Sequence, residues 1–312
     1  MVSLRSCVRN IENIIMNNFL KNWASPIAII AGILFYKILD LLSFLIPTLL
    51  FSMIFVTYCG LSLRDIKFSR MHIVLITLQI MMSLICFFVI VPFNPLTAEA
   101  IFICVIAPTA ISATVIAAMI GGNTASLALY TLFGNLTTAI LLPFLIPLLG
   151  ITDDLPFLHA FWFILKQLFL MLIFPLILAL LLFRFSPGTY QVIRKHQIIS
   201  FYIWIASFAI VIARSVKFFL AYGGKNIPAV ILIIAGSLVV FIIQFWIGRR
   251  IGSIYGDRIT GGQALGHKNT VLAIWMAQTY MQPLASIAPT AYILWQATFN
   301  GYQVWRYNRL NP

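Results

Sequence analysis

Residues 259–270 read Ile259-Thr-Gly-Gly-Gln-Ala-Leu-Gly-His-Lys268-Asn-Thr270, a polar, glycine-rich patch followed by the apolar run Val271–Ala277. Thr260, Gly261, Gly262, Gln263, Gly266, His267, Lys268 and Asn269 fall within ten positions. A second stretch of similar kind runs from Ala107 to Ser126, where 13 of 20 residues are Gly, Ala, Ser or Thr and Pro108 interrupts the helical pattern. Proline and glycine free backbone N–H and C=O groups that cannot be left facing lipid, so segments of this kind must be enclosed by other helices.

The surrounding sequence requires that solvent to be lipid. Hydrophobic residues make up 62% of the 312-residue chain and charged residues only 9%, against roughly a quarter in soluble domains. The charge is too sparse to cover a water-exposed surface, which excludes a soluble enzyme or a receptor with a large extramembrane sensor. With roughly 20 apolar residues per spanning helix, the runs and breaks predict ten spans. They lie at about Trp23–Ile38, Leu42–Leu61, His72–Val91, Glu99–Ile120, Ala125–Leu149, Phe157–Phe183, Ile198–Phe218, Ile227–Ile247, Ile259–Tyr280 and Ala285–Trp305.

The net charge of +13 is explained by membrane orientation and needs no nucleic acid. With the N-terminus inside, the inner segments hold fourteen cations against three acids (Glu12, Asp65, Asp257). The outer segments hold Lys37, Arg214, Lys217 and Lys225 against Asp40, Glu99, Asp153 and Asp154. Ten spans with both termini cytoplasmic satisfy the positive-inside rule. Residues 1–22 read as a cytoplasmic segment without a cleavable leader, and Ile11–Leu20 as a short amphipathic helix on the inner face.

The two interrupted spans are the fourth and the ninth, each fourth in its half when the chain is cut into residues 23–150 and 151–312. Five spans per half is an odd number, so the second half enters the membrane inverted. Paired interrupted spans in an inverted repeat point to a transporter's midplane binding site. The expected fold is all-α and polytopic: ten transmembrane helices in a five-plus-five inverted repeat, with broken, crossing helices 4 and 9.

Lys268 is the most informative residue. A lysine near mid-bilayer costs about 2.5–3.5 kcal/mol even on the mild insertion scale, so it needs a cavity or a partner. It either props the broken helix by donating to freed carbonyls or supplies a cation to a transport site. His267 reads as a hydrogen-bonded packing residue, with a ligand or proton-carrier role as the alternative. Gln79 stands alone in an aliphatic span, and Asn123, Thr124 and Thr131 flank the turn between spans 4 and 5. Trp275, Tyr292 and Trp295 either pack or stack on a ring-bearing ligand. Lys166 reads as snorkelling to the outer face.

All seven acids fall at loops or span edges, which leaves no carboxylate for a sodium site or a proton relay within a span. No HExxH, Walker loop, aspartate-rich diphosphate motif or Ser-His-Asp set is present, and His72, His159, His196 and His267 show no metal spacing. No enzymatic activity and no cofactor are expected. Cys7, Cys59, Cys86 and Cys104 read as free thiols.

Three patches carry a resemblance to a known family. The small-residue run from Ala107-Pro108 to Gly122-Asn123 looks like span 4 of the bile acid:sodium symporter family. Gly266-His267-Lys268-Asn269 resembles its Gly-x-Gln-Asn motif in span 9, and Cys59-Gly60-Leu61-Ser62-Leu63 is similar to the boundary after its span 2. The resemblance covers nearly the whole chain in span count and order, and only these patches are specific. It implies a core of spans 3–5 and 8–10 moving against a panel of spans 1, 2, 6 and 7. Half-helices beginning near Thr109 and Lys268 would then aim their positive dipole ends at an anion. Members of the family carry organic anions, usually with two sodium ions.

Carried over by position, the family's sodium ligands are altered here. Its Ser-Asn pair after the proline falls on Ala113 and Thr114, and its span 5 serine and threonine on Leu127 and Thr131. Its span 9 glutamate falls on Ala264 and its span 9 glutamine on Lys268, while its span 3 glutamine matches Gln79. Ligands are lost and a cation appears, so the Lys268 ammonium is expected to replace bound sodium, as a permanent counter-ion or a proton-coupled one. The arsenite exporters share the architecture but place a cysteine after the proline. Thr109 stands at that position here, which argues against thiol chemistry.

The expected function is secondary active transport of an organic anion (bile-acid-like, steroid or small carboxylate) across the cytoplasmic membrane, without the usual sodium coupling. The partners implied are that anion and membrane lipid; the oligomeric state is left open. Two alternatives stand beside it. One is a sodium symporter whose sites survive through backbone carbonyls, Thr114, Thr131 and Gln79. The other is a transport-dead binding or sensor protein locked by Lys268.

Overall fold

The computed structural model describes residues 26–60, 68–110, 112–151, 156–196, 198–222 and 226–310. The cytoplasmic segment 1–22, its amphipathic stretch Ile11–Leu20, Cys7 and the Leu61–Leu63 boundary lie outside them. The regular elements among the described residues are helical. They are α1 (26–34), α2 (Tyr36–Asp40), α3 (Ile46–Gly60), α4 (Arg70–Ile90), α5 (Pro95–Ile106), α6 (Ser112–Met119), α7 (Thr124–Leu148) and α8 (Phe157–Leu168). There follow α9 (Phe174–Phe185), α10 (Pro187–Lys195), α11 (Ile198–Tyr222), α12 (Ile227–Ile254), α13 (Arg258–Gly266), α14 (Thr270–Tyr280) and α15 (Ile287–Leu310).

Six segments are long and apolar enough to cross a membrane: Ser43–Gly60, Arg70–Ile90, Thr124–Leu148, Phe157–Phe185, Ile199–Ala221 and Ile227–Ile254. Their outward faces carry large apolar side chains such as Phe88, Trp162, Phe185, Ile231 and Trp246, all more than half exposed. Water would not tolerate so continuous an apolar surface, and acyl chains would. The chain is therefore a polytopic, all-helical membrane protein. The other predicted spans fall on shorter or more polar helices. The fourth is divided between α5 and α6 and the ninth between α13 and α14, while α15 ends in the polar turns around Gln303, Arg306 and Arg309.

Local sequence fixes where these helices begin. Ser69 opens α4 with a capping box: its hydroxyl accepts from Met71 N (3.2 Å), and His72 Nδ1 accepts from Ser69 N (3.1 Å). Asn94 caps α5 through Thr97 N (2.8 Å), with Pro95 as the first helical residue. Asn123 caps α7, Asp257 caps α13 and Asn269 caps α14 in the same way. A π-helical turn over Phe169–Ile173 joins α8 to α9 just before Pro175, whose missing N–H disturbs the ladder there.

The start of α5 corrects one expectation. The Asn94-Pro95 signal begins the helix at Pro95, four residues before the expected start, so Glu99 lies a turn inside the helix. It is buried, and its carboxylate accepts from the backbone N (3.2 Å) and side-chain Nε2 (3.4 Å) of Gln282 beyond α14.

The helices pack in two groups. In one, α3 lies against α9, α10 and α11, and α11 against α2. In the other, α4, α5, α12 and α15 surround the short helices α6, α13 and α14, and α7 lies against both α6 and α13. Helices α12 and α13 approach backbone to backbone, where Gly248 and Gly252 face Gly261 and Gly262. Lipid provides little hydrophobic drive for helix association, so small residues that allow backbone contact supply the packing instead.

Candidate functional site

The two helix breaks meet. Between α5 and α6 the chain is extended at Pro108-Thr109-Ala110, and between α13 and α14 at His267-Lys268-Asn269. Thr109 and Lys268 form an antiparallel bridge. Asn269 N donates to Pro108 O (2.8 Å), and Ala110 N donates to His267 O (3.2 Å). Two helix C-termini (α5, α13) and two N-termini (α6, α14) thus converge at one point, deep in the protein.

Several of the freed carbonyls around this point accept from side chains of other segments. Gln79 on α4 donates both amide hydrogens, to Ile106 O (2.8 Å) and Ala107 O (3.1 Å), while its Oε1 accepts from Tyr130 OH on α7 (3.0 Å). Gln244 on α12 donates to Val105 O (3.3 Å), and its Oε1 lies 3.0 Å from the Tyr292 hydroxyl of α15, which also reaches Gly266 O (2.7 Å). The Thr109 hydroxyl donates to Ala264 O. Lys268 N donates to Gln296 Oε1 (2.8 Å).

Lys268 itself is 1% exposed. Its Nζ has no hydrogen-bond partner among the described residues. The buried thiol of Cys104 on α5 is close enough to interact with it electrostatically. The lysine is not propping the break, since Gln79, Gln244, Tyr292 and Thr109 occupy the carbonyls it would have served. An ammonium left here without a counter-charge costs several kcal/mol.

His267 has partners at both ring nitrogens. Nε2 is 3.0 Å from Ser112 Oγ, and Nδ1 is 3.0 Å from Gln263 Oε1 and 3.1 Å from Asn300 Nδ2. Asn269 caps α14 through Leu272 N (3.2 Å). Gly266 lies where a Cβ would enter the Phe245 ring. Lys268, His267, Asn269, Gln79, Pro108, Thr109, Ala264 and Gly266 are therefore brought together. Asn123 is not among them: it caps α7, and its backbone N donates to Thr260 Oγ1 (2.9 Å), joining the starts of α7 and α13. Thr131 spends its hydroxyl on Leu127 O (3.0 Å) in its own helix. Thr114 is half-buried on α6.

Gln244, Tyr130, Gln296 and Asn300 were not singled out by the sequence. Gln244 carried the same signal as Gln79, a single amide in an aliphatic span. Tyr292 is fully buried, and what it contributes is its hydroxyl. Replacing Gln79 by Leu strands two carbonyls and the Tyr130 hydroxyl, at about 1–3 kcal/mol per buried orphan. Thermal unfolding of Gln79→Leu should show a much larger loss than Thr131→Val, which removes one back-bond within a helix. Equal losses would contradict the capping role.

No family model matches this chain, and no curated protein matches it.

Proposed function

We propose that the chain is a secondary active transporter of an organic anion, built on the ten-span inverted repeat of the bile acid:sodium symporter type, with Lys268 in place of bound sodium. The observation that carries this reading is the buried Lys268 Nζ, without a hydrogen-bond partner among the described residues, at the point where two broken helices cross. An anion that paired with it in one conformation and left in another would offset its burial cost, and the α6 and α14 N-termini favour negative charge at the same place.

Several contacts support the repeat and its orientation. The pair Gln79–Tyr130 joins α4 to α7, and Gln244–Tyr292 joins α12 to α15. In the ten-span scheme these are spans 3 and 5 of one half and spans 8 and 10 of the other. Side-chain links also join ends assigned to the same side: His72 with Ser126, Asn123 with Thr260 and Arg249 with Gln303 inside, and Glu99 with Gln282 and Lys217 with Asp40 outside. The two packing groups match the core and panel that would move against each other. Both termini are then cytoplasmic, and the host is a cytoplasmic membrane.

The same geometry supports independence from sodium. Ala264 stands where the family's carboxylate would be and offers only a carbonyl, which Thr109 occupies. The test is a thermal-shift series on the purified protein with steroid conjugates, sulfated steroids and small carboxylates, in sodium and in choline buffer. A ligand that binds only the folded state raises the melting temperature. An anion should stabilise the protein equally in both buffers. The double substitution Ala264→Glu with Lys268→Gln should make that stabilisation require sodium. A wild-type response that already requires sodium, or a double variant that ignores it, would refute the replacement of sodium by lysine.

A further inference from the structure

A second concentration of positive charge lies away from the crossing. A groove of about 780 Å³ runs along the outside of α12, lined by Phe241, Ile242, Trp246, Arg249, Arg250 and Arg258 among others. Arg249 lies over the Phe299 ring (5.1 Å) and donates to Gln303 Oε1 (2.6 Å), while Arg250 lies over Trp246 (5.5 Å). Arg258 and Arg306 stand close enough for their charges to act on Arg249. None of Arg249, Arg250 and Arg258 forms an ion pair with a described carboxylate, and Asp257 is engaged in capping α13.

We infer that this groove binds an anionic phospholipid, with the phosphate among Arg249, Arg250 and Arg258 and an acyl chain along the Phe241–Trp246 face. The polarity changes along the groove in the order an amphiphile requires. Its apolar end lies on the part of α12 whose Ile242 and Trp246 side chains are exposed on a membrane-spanning helix, while Arg249 and Arg250 come in the last turns of that helix and Arg258 opens α13. From Phe241 to Ile254 the helix covers about 20 Å at 1.5 Å per residue, enough for much of an acyl chain beside a headgroup. A soluble anion would use the arginines and leave the aromatic half without a role. Basic sites between helices at a membrane face are a recurrent form of lipid recognition.

The inference does not rest on transport, and lipid retention reads it directly. The full-length protein in detergent, offered equal amounts of phosphatidylglycerol and phosphatidylcholine, should retain phosphatidylglycerol preferentially in native mass spectrometry. Arg250→Gln with Arg258→Gln, both exposed side chains, should reduce that preference roughly tenfold or more, while Arg214→Gln on the distant α11 should leave it unchanged. Millimolar glycerol 3-phosphate should not displace the lipid. A photoactivatable phosphatidylglycerol should label the wild-type chain within residues 241–258, a reading that needs no variant to fold. Equal retention of the two lipids, a preference that survives the double substitution, or labelling elsewhere would overturn the proposal. Full displacement by glycerol 3-phosphate would do so by identifying a site for a soluble anion.

Discussion

Lys268→Met is expected to make the protein more stable and to abolish its response to anions. Methionine is an unbranched side chain one atom shorter and fills most of the same space without a charge. Replacing a buried ionic group by an apolar one of similar volume is often neutral or stabilising by about 1–4 kcal/mol. Here Nζ has no partner among the described residues, so few favourable interactions are lost in exchange. The carbonyls at the break keep their donors in Gln79, Gln244, Tyr292 and Thr109. The melting temperature should therefore rise by several degrees. Stabilisation by any anion should disappear, and uptake into proteoliposomes with it. Gain of stability with loss of function is what a residue kept for its charge should show. A fall in melting temperature would instead make the lysine a structural prop. Retained anion stabilisation would remove it from the binding site.

Gly261→Ala is expected to be the most damaging conservative change in the molecule. A Cβ at this position would lie 2.6 Å from Gly252 Cα and closer still to Gly248 O. Both obstacles are backbone, so no side-chain rotation can relieve them, and α12 and α13 must separate. Overpacking in a well-packed core usually costs about 1–3 kcal/mol and occasionally more. The upper end applies here, because both obstacles are main-chain atoms of α12. Gly301→Ala is the matched control: it lies in α15 with nothing within 4 Å of its Cβ. That change should be neutral or gain up to about 1 kcal/mol from helix propensity. Thermal unfolding of both variants checks the pair, and similar melting temperatures would show that α12–α13 contact is less intimate than the geometry requires.

The effect should reach the candidate site as well. Helix α13 ends at Gly266, two residues before Lys268, and its Ala264 and Gly266 carbonyls are held by Thr109 and Tyr292. Displacing α13 from α12 would carry those acceptors away from their donors. Anion stabilisation should weaken in Gly261→Ala even where the protein still folds.

Much of this architecture was readable from the chain. A bilayer sets the length of an apolar run, and charge scarcity sets the solvent, so the membrane class and most helix positions followed from composition. Caps at Ser69, Asn94, Asn123, Asp257 and Asn269 are local interactions between a side chain and the next turn, and local interactions are written in sequence. The breaks at Pro108 and around His267-Lys268-Asn269 were legible for the same reason. The start of α5 was placed four residues late, at Glu99, because the apolar pattern was followed in place of the Asn94-Pro95 start signal.

What only the tertiary structure decided is which distant groups meet. Nothing in the sequence pairs Thr109 with Lys268 or assigns Gln244 and Tyr292 to carbonyls on other helices. A freed carbonyl accepts from any donor that packing brings near, and packing joins residues far apart in the chain. The same holds for Lys268: composition made it costly, but only the packed structure showed that its neighbours satisfy the break without it. Asn123 and Thr131, polar residues near the break in sequence, found partners elsewhere once the helices took their places. The sequence by itself determined the solvent, the helices and the points where they break; the packing of those helices determined which polar groups are satisfied and left Lys268 Nζ without a hydrogen-bond partner among the described residues, because hydrogen-bond satisfaction in a membrane interior depends on three-dimensional neighbours.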